Sequence, residues 1–195
     1  HIRKKIQLNS IPKSKINEVF EKIIDYISLL EAAKIPIPKI KTKEVTKDCI
    51  ILEMKYCGRN ILDINSNLEE FFSSDTGADI LKQIIKILIK AKNKQIFIDP
   101  HIKNFVYDNS RKVYFVDFSP PYSKQYNNFV LKYIKDEGKE IAKKNLEFFS
   151  PENIGEHFVA DLLKLGYPLL SDNLFNIMKE ANVINCDKTL FTDKV

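Results

Sequence analysis

The stretch FIDPHIKNFVYDNSRKVYFVDFSPP, residues 97–121, decides the reading of this chain. Asp99 and Asn104 stand five residues apart in it, and Asn104 and Asp117 thirteen apart. Each aspartate follows a short apolar run, QIFI (95–98) or VYFV (113–116), so each is expected to project from the end of a strand, the two strands being paired. Two carboxylates and an amide so placed suit phosphoryl transfer. One carboxylate accepts or orients an attacking hydroxyl, while the amide and the second carboxylate hold Mg²⁺ against nucleotide phosphates. Asp and Asn are also ordinary turn residues, and two strands joined by a loop show them with no catalytic purpose. The joint spacing, the apolar run before each aspartate and Phe118 after Asp117 favour the catalytic reading.

Around this stretch the chain has 195 residues, enough for one substantial domain or two small lobes. Its hydrophobic fraction of 44% is that of a globular protein and argues against wholesale disorder. The net charge is +5, but lysines and acidic residues alternate along most of the chain. A nucleic-acid surface gathers its basic residues on one face, so nucleic acid is an unlikely partner. Cys49, Cys57 and Cys186 are odd in number and form no CxxC pair, which points to a reducing, cytoplasmic compartment and away from zinc. No secretory signal is visible in HIRKKIQL, and a first residue of His rather than Met leads us to expect residues upstream. The longest apolar stretch, ADILKQIIKILIKAK, carries Lys82, Lys86 and Lys90 at every fourth position, a repeat that Lys94 continues just beyond it. That is a solvated stripe on an amphipathic helix, not a membrane span.

The pattern of elements is α+β. Residues 2–8 read as a strand, and a helix from Ser14 to Ala33 puts Ile16, Val19, Phe20, Ile23, Ile24, Ile27 and Leu30 on one face, with Ser14 as its cap. Pro36 and Pro38 end it. Strands follow around IKTKEV and CIILEMKY, separated by a turn at Thr46–Asp48, and Gly58 opens a linker reaching about Ser74. A helix from Asp79 to Lys94 leads into the central stretch, where Asp108-Asn109-Ser110 marks a turn. Beyond Pro121 the chain reads as helical, over 127–149, from Ser150-Pro151 with Ser150 as cap, and from Ser171 to Ala181. Residues 1–58 and 59–195 are the expected lobes.

Phe97-Ile98-Asp99-Pro100-His101-Ile102-Lys103-Asn104 and Asp117-Phe118 resemble the catalytic loop and metal-binding motif of the protein-kinase-like superfamily. The flavour is that of the aminoglycoside and choline phosphotransferases, which carry His two residues after the catalytic Asp. The helix followed by IPIPKI resembles the family's αC helix and its entry into the next strand, and ILEMKYCGRNIL resembles its strand, hinge and glycine. The resemblance covers roughly residues 1–122. It implies a two-lobe fold with a small β-rich N-lobe and a mainly helical C-lobe, using ATP and Mg²⁺ as cofactors.

By that resemblance Asp99 is the catalytic base, with His101 orienting the loop or packing beneath it. Asn104 and Asp117 bind Mg²⁺, and backbone groups around Glu53, Lys55 and Tyr56 hold adenine. The phosphate-binding lysine belongs on the first strand. Alternation places Lys4 with Ile2 and Ile6 on the core-facing side, which favours Lys5 over Lys4. Its glutamate partner belongs on the first helix, Glu21 before Glu18, although both are also ordinary solvated-face residues.

The departures are as clear. No glycine precedes Gly58, Phe97-Ile98 stands where the family has His-Gly, and Ser119-Pro120-Pro121 follows Asp117-Phe118. Three expectations follow: a phosphotransferase acting on a hydroxyl acceptor, a small molecule before a protein; a pseudokinase-type nucleotide-binding scaffold able to hold a protein partner; and an atypical protein kinase of the Rio type.

Overall fold

The computed structural model describes residues 1–7, 11–47, 49–64, 67–119 and 121–186. Its architecture is α+β, with two small antiparallel sheets and eight α-helices among the described residues.

The first sheet is built from β1 (Ile2–Gln7), β2 (Ile40–Val45) and β3 (Cys49–Met54), in the order β1-β3-β2. β3 is central and reads CIILEM, nearly all buried, as a strand with neighbours on both sides requires. The edge strand β2 is charged and mostly exposed, which blunts it against further pairing. Helix α1 (Ile16–Ala32) packs on β2 and β3 through Ile16, Val19, Ile23, Tyr26, Ile27 and Leu30. Ser14 does not cap it, because Lys13–Lys15 forms a 3₁₀ turn of its own and Lys15 stands at the N-cap without a side-chain bond.

The span expected as a linker holds structure. β4 (Arg59–Asn60) is followed by α2 (Ile61–Ile64) and α3 (Leu68–Ser73). Asn67 caps α3 by accepting from the N–H groups of Glu69 and Glu70. Helix α4 (Asp75–Asn93) begins four residues earlier than expected because Ser74 caps it, accepting from the Gly77 N–H. The lysine stripe is exposed at Lys82, Lys86 and Lys94, whereas Lys90 Nζ bonds the Lys34 carbonyl at 2.8 Å. Ile80, Ile84, Ile87, Leu88 and Ala91 are buried on the opposite side.

The run QIFI is not a strand. The Ile96 N–H returns to the Ala91 carbonyl as α4 closes, with Gln95 at φ 55°, and the Tyr26 hydroxyl takes the Phe97 carbonyl. The pairing expected there is made further on, between β5 (Phe105–Tyr107) and β6 (Val113–Phe115), with β4 on the other edge of β5. The turn at Asp108–Ser110 joins them as expected. Gly58 sits at φ 110° with Tyr107 packed against it, and an added Cβ would lie 1.8 Å from the Tyr107 carbonyl oxygen. Only glycine permits this approach.

Four helices complete the chain: α5 (Lys124–Val130), α6 (Asp136–Phe148), α7 (Ile154–Lys164) and α8 (Pro168–Glu180). The expected helix over 127–149 is thus two. Ser150 caps nothing, since a turn intervenes and α7 starts after Asn153. One continuous apolar cluster runs from Ile6 through Phe105, Phe115 and Phe158 to Ile184. No helix among the described residues is long and apolar enough to cross a membrane.

Candidate active site

Asp99, His101 and Asn104 lie on the irregular segment after α4, and a 3₁₀ turn at Ile102–Asn104 aims Asn104 inward. Asp99 and Asn104 are each only 6% exposed, although both are polar. Burial of that kind requires partners. Asn104 Nδ2 donates to the Asp99 carbonyl at 3.3 Å, and the Asn104 carbonyl accepts from the Val116 N–H at 3.0 Å. That second bond ties the loop to the residue before Asp117, so three groups scattered in sequence share one frame.

Asp117 follows β6 and is bonded on both oxygens. Lys4 Nζ lies 3.2 Å from its Oδ1, and the Tyr122 hydroxyl donates to its Oδ2 at 2.8 Å. Lys5, the lysine favoured from alternation, is exposed on the other face of β1. The alternation itself holds: Lys4 does share a face with Ile2 and Ile6. That face covers the core at Ile6 and overlooks Asp117 at Lys4, so facing inward does not remove a lysine from the site. Glu21 is exposed and Glu18 pairs with Lys15, so neither meets Lys4 among the described residues. The α1 residue that comes close is Tyr26, whose phenol is pushed well above its ordinary value by burial and by the Asp117 and Asp99 charges.

His101 bonds the Asp99 carboxylate through Nδ1, and its backbone N–H donates to Asp99 Oδ1 at 3.1 Å. Burial pushes the Asp99 carboxyl up, but the bonds from His101 and Asn104 outweigh it and hold the group below the usual carboxylate range. The Asp99 hydrogen bond raises His101 against the effect of burial, helped by the Asp99 and Asp161 charges. Asp161, on α7, accepts the Ile102 N–H at 2.9 Å and lies 3.8 Å from His101 Nε2. The imidazole is stacked on Phe148 with centroids 5.6 Å apart. It lies between two carboxylates, a setting that favours its protonated form.

The signs fix a pH dependence. Asp99, depressed, stabilises the fold above the ordinary carboxylate range and loses that as pH falls through its folded value. His101, raised, stabilises below the ordinary histidine range and loses that as pH rises through its folded value. Thermal melts of the wild type are therefore expected to step down as pH rises through the raised His101 value. His101→Gln is expected to lack the step; a variant that keeps it would assign the titration elsewhere.

Sequence reasoning missed Tyr122 and Asp161. Burial beside Asp117 and Asp99 drives the Tyr122 phenol far up, so it remains a donor to Asp117. Neither residue has a local motif, and only the fold brings them here.

Among the described residues no three His, Cys, Asp or Glu side chains converge as a metal cage. Mg²⁺ in phosphate chemistry does not need one, since it binds through one or two carboxylates plus phosphates and water. Asn104 spends its amide N–H on Asp99, which leaves the amide oxygen, and Asp117 offers a carboxylate whose ion pair with Lys4 is only partly buried. Oxygen donors of this kind are the ones Mg²⁺ takes.

Next to this group lies a cavity of about 280 Å³ lined by Ile2, Pro38, Met54, Val106 and Val116, with Lys4 and Gly58 on its wall. Lys55 and Cys57 border it too. The Lys55 N–H is already bonded to the Lys39 carbonyl at 2.9 Å. The Glu53 side chain points outward, 4.0 Å from His1. Of the expected backbone contacts at Lys55, the N–H is therefore spent and the carbonyl accepts from the Cys57 thiol at 3.5 Å. Burial raises the Cys57 thiol, which disfavours its thiolate form. No protein-family model matches the chain, and no curated protein matches it in sequence.

Proposed function

We propose that the protein is an ATP- and Mg²⁺-dependent phosphotransferase of protein-kinase-like, two-lobe architecture, acting on a hydroxyl acceptor. The carrying observation is the Lys4–Asp117 pair, which joins the first sheet to the loop after β6 beside Asp99 and Asn104. In kinase chemistry a strand lysine and a metal-holding aspartate meet at the nucleotide phosphates. The strand order β1-β3-β2, with α1 against the sheet, is consistent with that lobe.

In this reading the apolar cavity takes the base, with the backbone around Lys55 as its hydrogen-bonding edge. Lys4 turns from Asp117 to the phosphates. Asn104 and Asp117 would hold Mg²⁺, which neutralises phosphate charge when bound. Asp99, kept ionised by His101, accepts the proton of the acceptor hydroxyl and aligns it for in-line attack. Tyr122 and Asp161 hold Asp117 and the loop still, so that positioning supplies much of the rate. The acceptor is a small molecule in preference to a protein, from the resemblance of the Asp99–His101 spacing, and the location is cytoplasmic.

A nucleotide-binding scaffold is the second reading, favoured by Asp117 having both oxygens engaged, by Lys4 and by the Tyr122 hydroxyl. Calorimetry with ATP and Mg²⁺ on Lys4→Ala and Lys5→Ala tests the site. Lys4→Ala is expected to weaken binding about tenfold or more, the loss of one charge-assisted contact, and Lys5→Ala to leave it unchanged. Equal effects would remove Lys4 from the phosphate role.

A further inference from the structure

A second groove lies on the other face of the same ladder. Along β5, Val106 and Tyr107 point to opposite sides, and Val106 lines the apolar cavity beside Lys4. Tyr107 lines a groove of about 590 Å³ with Tyr56, Arg59, Thr76, Asp108 and Arg111. None of Lys4, Asp99, Asn104 or Asp117 reaches it. Its volume is that of a small-molecule site.

The chain has 31 basic Lys and Arg residues, of which three are arginine: Arg3, Arg59 and Arg111. Two of the three line this groove. Arg3 has an acidic neighbour, Glu44 at 4.0 Å. Arg59 and Arg111 have no ion pair among the described residues. The one carboxylate in the groove is not their counter-ion. Asp108 Oδ1 accepts from the Ser110 N–H, the Ser110 hydroxyl and the Lys112 N–H, and Oδ2 accepts from the Tyr114 hydroxyl.

Both arginines stand on fixed backbone. Arg59 is paired with Tyr107 in the β4–β5 ladder. Arg111 is held at φ 64°, a left-handed conformation that costs a non-glycine residue energy. Its N–H bonds the Asp108 carbonyl at 2.9 Å, and its carbonyl accepts from Gln83 Nε2 at 2.8 Å. The aromatic walls differ in kind. Tyr107 is stacked on Phe71 with centroids 6.0 Å apart, while Tyr56 is 50% exposed and has no such neighbour among the described residues.

Two arginines on the lining of one groove, without an ion pair among the described residues, are the residue type that offers a tetrahedral oxyanion two bonds from a planar fork, which an ammonium cannot reproduce. An exposed tyrosine ring beside them offers a face to a flat group. We propose that this groove binds a phosphate monoester carried on an aromatic ring, with Arg59 and Arg111 clamping the phosphate and Tyr56 packing on the ring. The site is independent of the phosphotransferase reading.

The test is calorimetric titration of the full chain with phenyl phosphate, inorganic phosphate and phenol. Saturable phenyl phosphate binding is expected, with each of the other two probes at least about tenfold weaker. The charge-conserving variant R59K/R111K is expected to lose about tenfold or more, since the forks are gone but the charge is not. The single variants R59K and R111K stand in if the pair melts early, each with a partial loss. No saturable binding overturns the proposal, as does binding retained in R59K/R111K. Inorganic phosphate binding as tightly as phenyl phosphate overturns the aromatic part.

Discussion

Asp99→Asn is expected to lower ATP consumption by about 10²- to 10⁴-fold, the usual worth of a positioned general base, while Mg²⁺-dependent ATP binding stays near wild type. The two side chains have the same shape, so the buried position is still filled and an oxygen still faces His101. The charge that accepts the acceptor's proton is gone. His101 also loses the main cause of its raised protonation. Measuring ATP consumption with water as the default acceptor, together with binding on the same preparation, separates the two functional readings. Consumption unchanged by the substitution would take Asp99 out of catalysis. Binding without turnover in the wild type would make the fold a nucleotide-holding scaffold.

Asp161→Ala is expected to cost about 2–3 kcal/mol in urea denaturation, although Asp161 touches no reacting group. It leaves the Ile102 N–H without its acceptor and takes away one of the two carboxylates beside His101, at a side chain only 15% exposed. Asp161→Asn keeps an oxygen for the Ile102 N–H and is expected to recover most of the loss. If Ala and Asn cost the same, the charge on His101 carries the effect, not the backbone bond. If neither costs more than a few tenths of a kcal/mol, α7 does not hold the loop.

What was legible in the sequence was whatever a short window can encode. The lysine repeat of α4, the apolar face of α1 and the dense run of β3 each reported their own burial, because helix and strand periods map directly onto one buried side. Asn67 with Glu70 three residues on is likewise a helix-start signal, and taking 58–74 as linker overlooked it. QIFI failed for the opposite reason. Its apolar residues are buried by the core beneath them while their backbone bonds go to a helix end and to Tyr26, so burial without a ladder mimicked a strand.

In the site, Asp99, Asn104 and Asp117 were legible because two of them share one loop and the third follows the next strand but one. Lys4 was misjudged by equating inward with core. Tyr122 sits five residues past Asp117 and Asp161 fifty-seven past Asn104, at distances no local pattern spans, and Asp161 reads as one polar position on an amphipathic helix.

The most direct measurement is a thermal-shift titration with ATP, with and without Mg²⁺, on wild type and Asp117→Ala. Stabilisation that requires Mg²⁺ and vanishes in the variant is the predicted result. A folded wild type that ATP and Mg²⁺ do not stabilise, or a shift that survives loss of Asp117, would contradict the nucleotide–metal site.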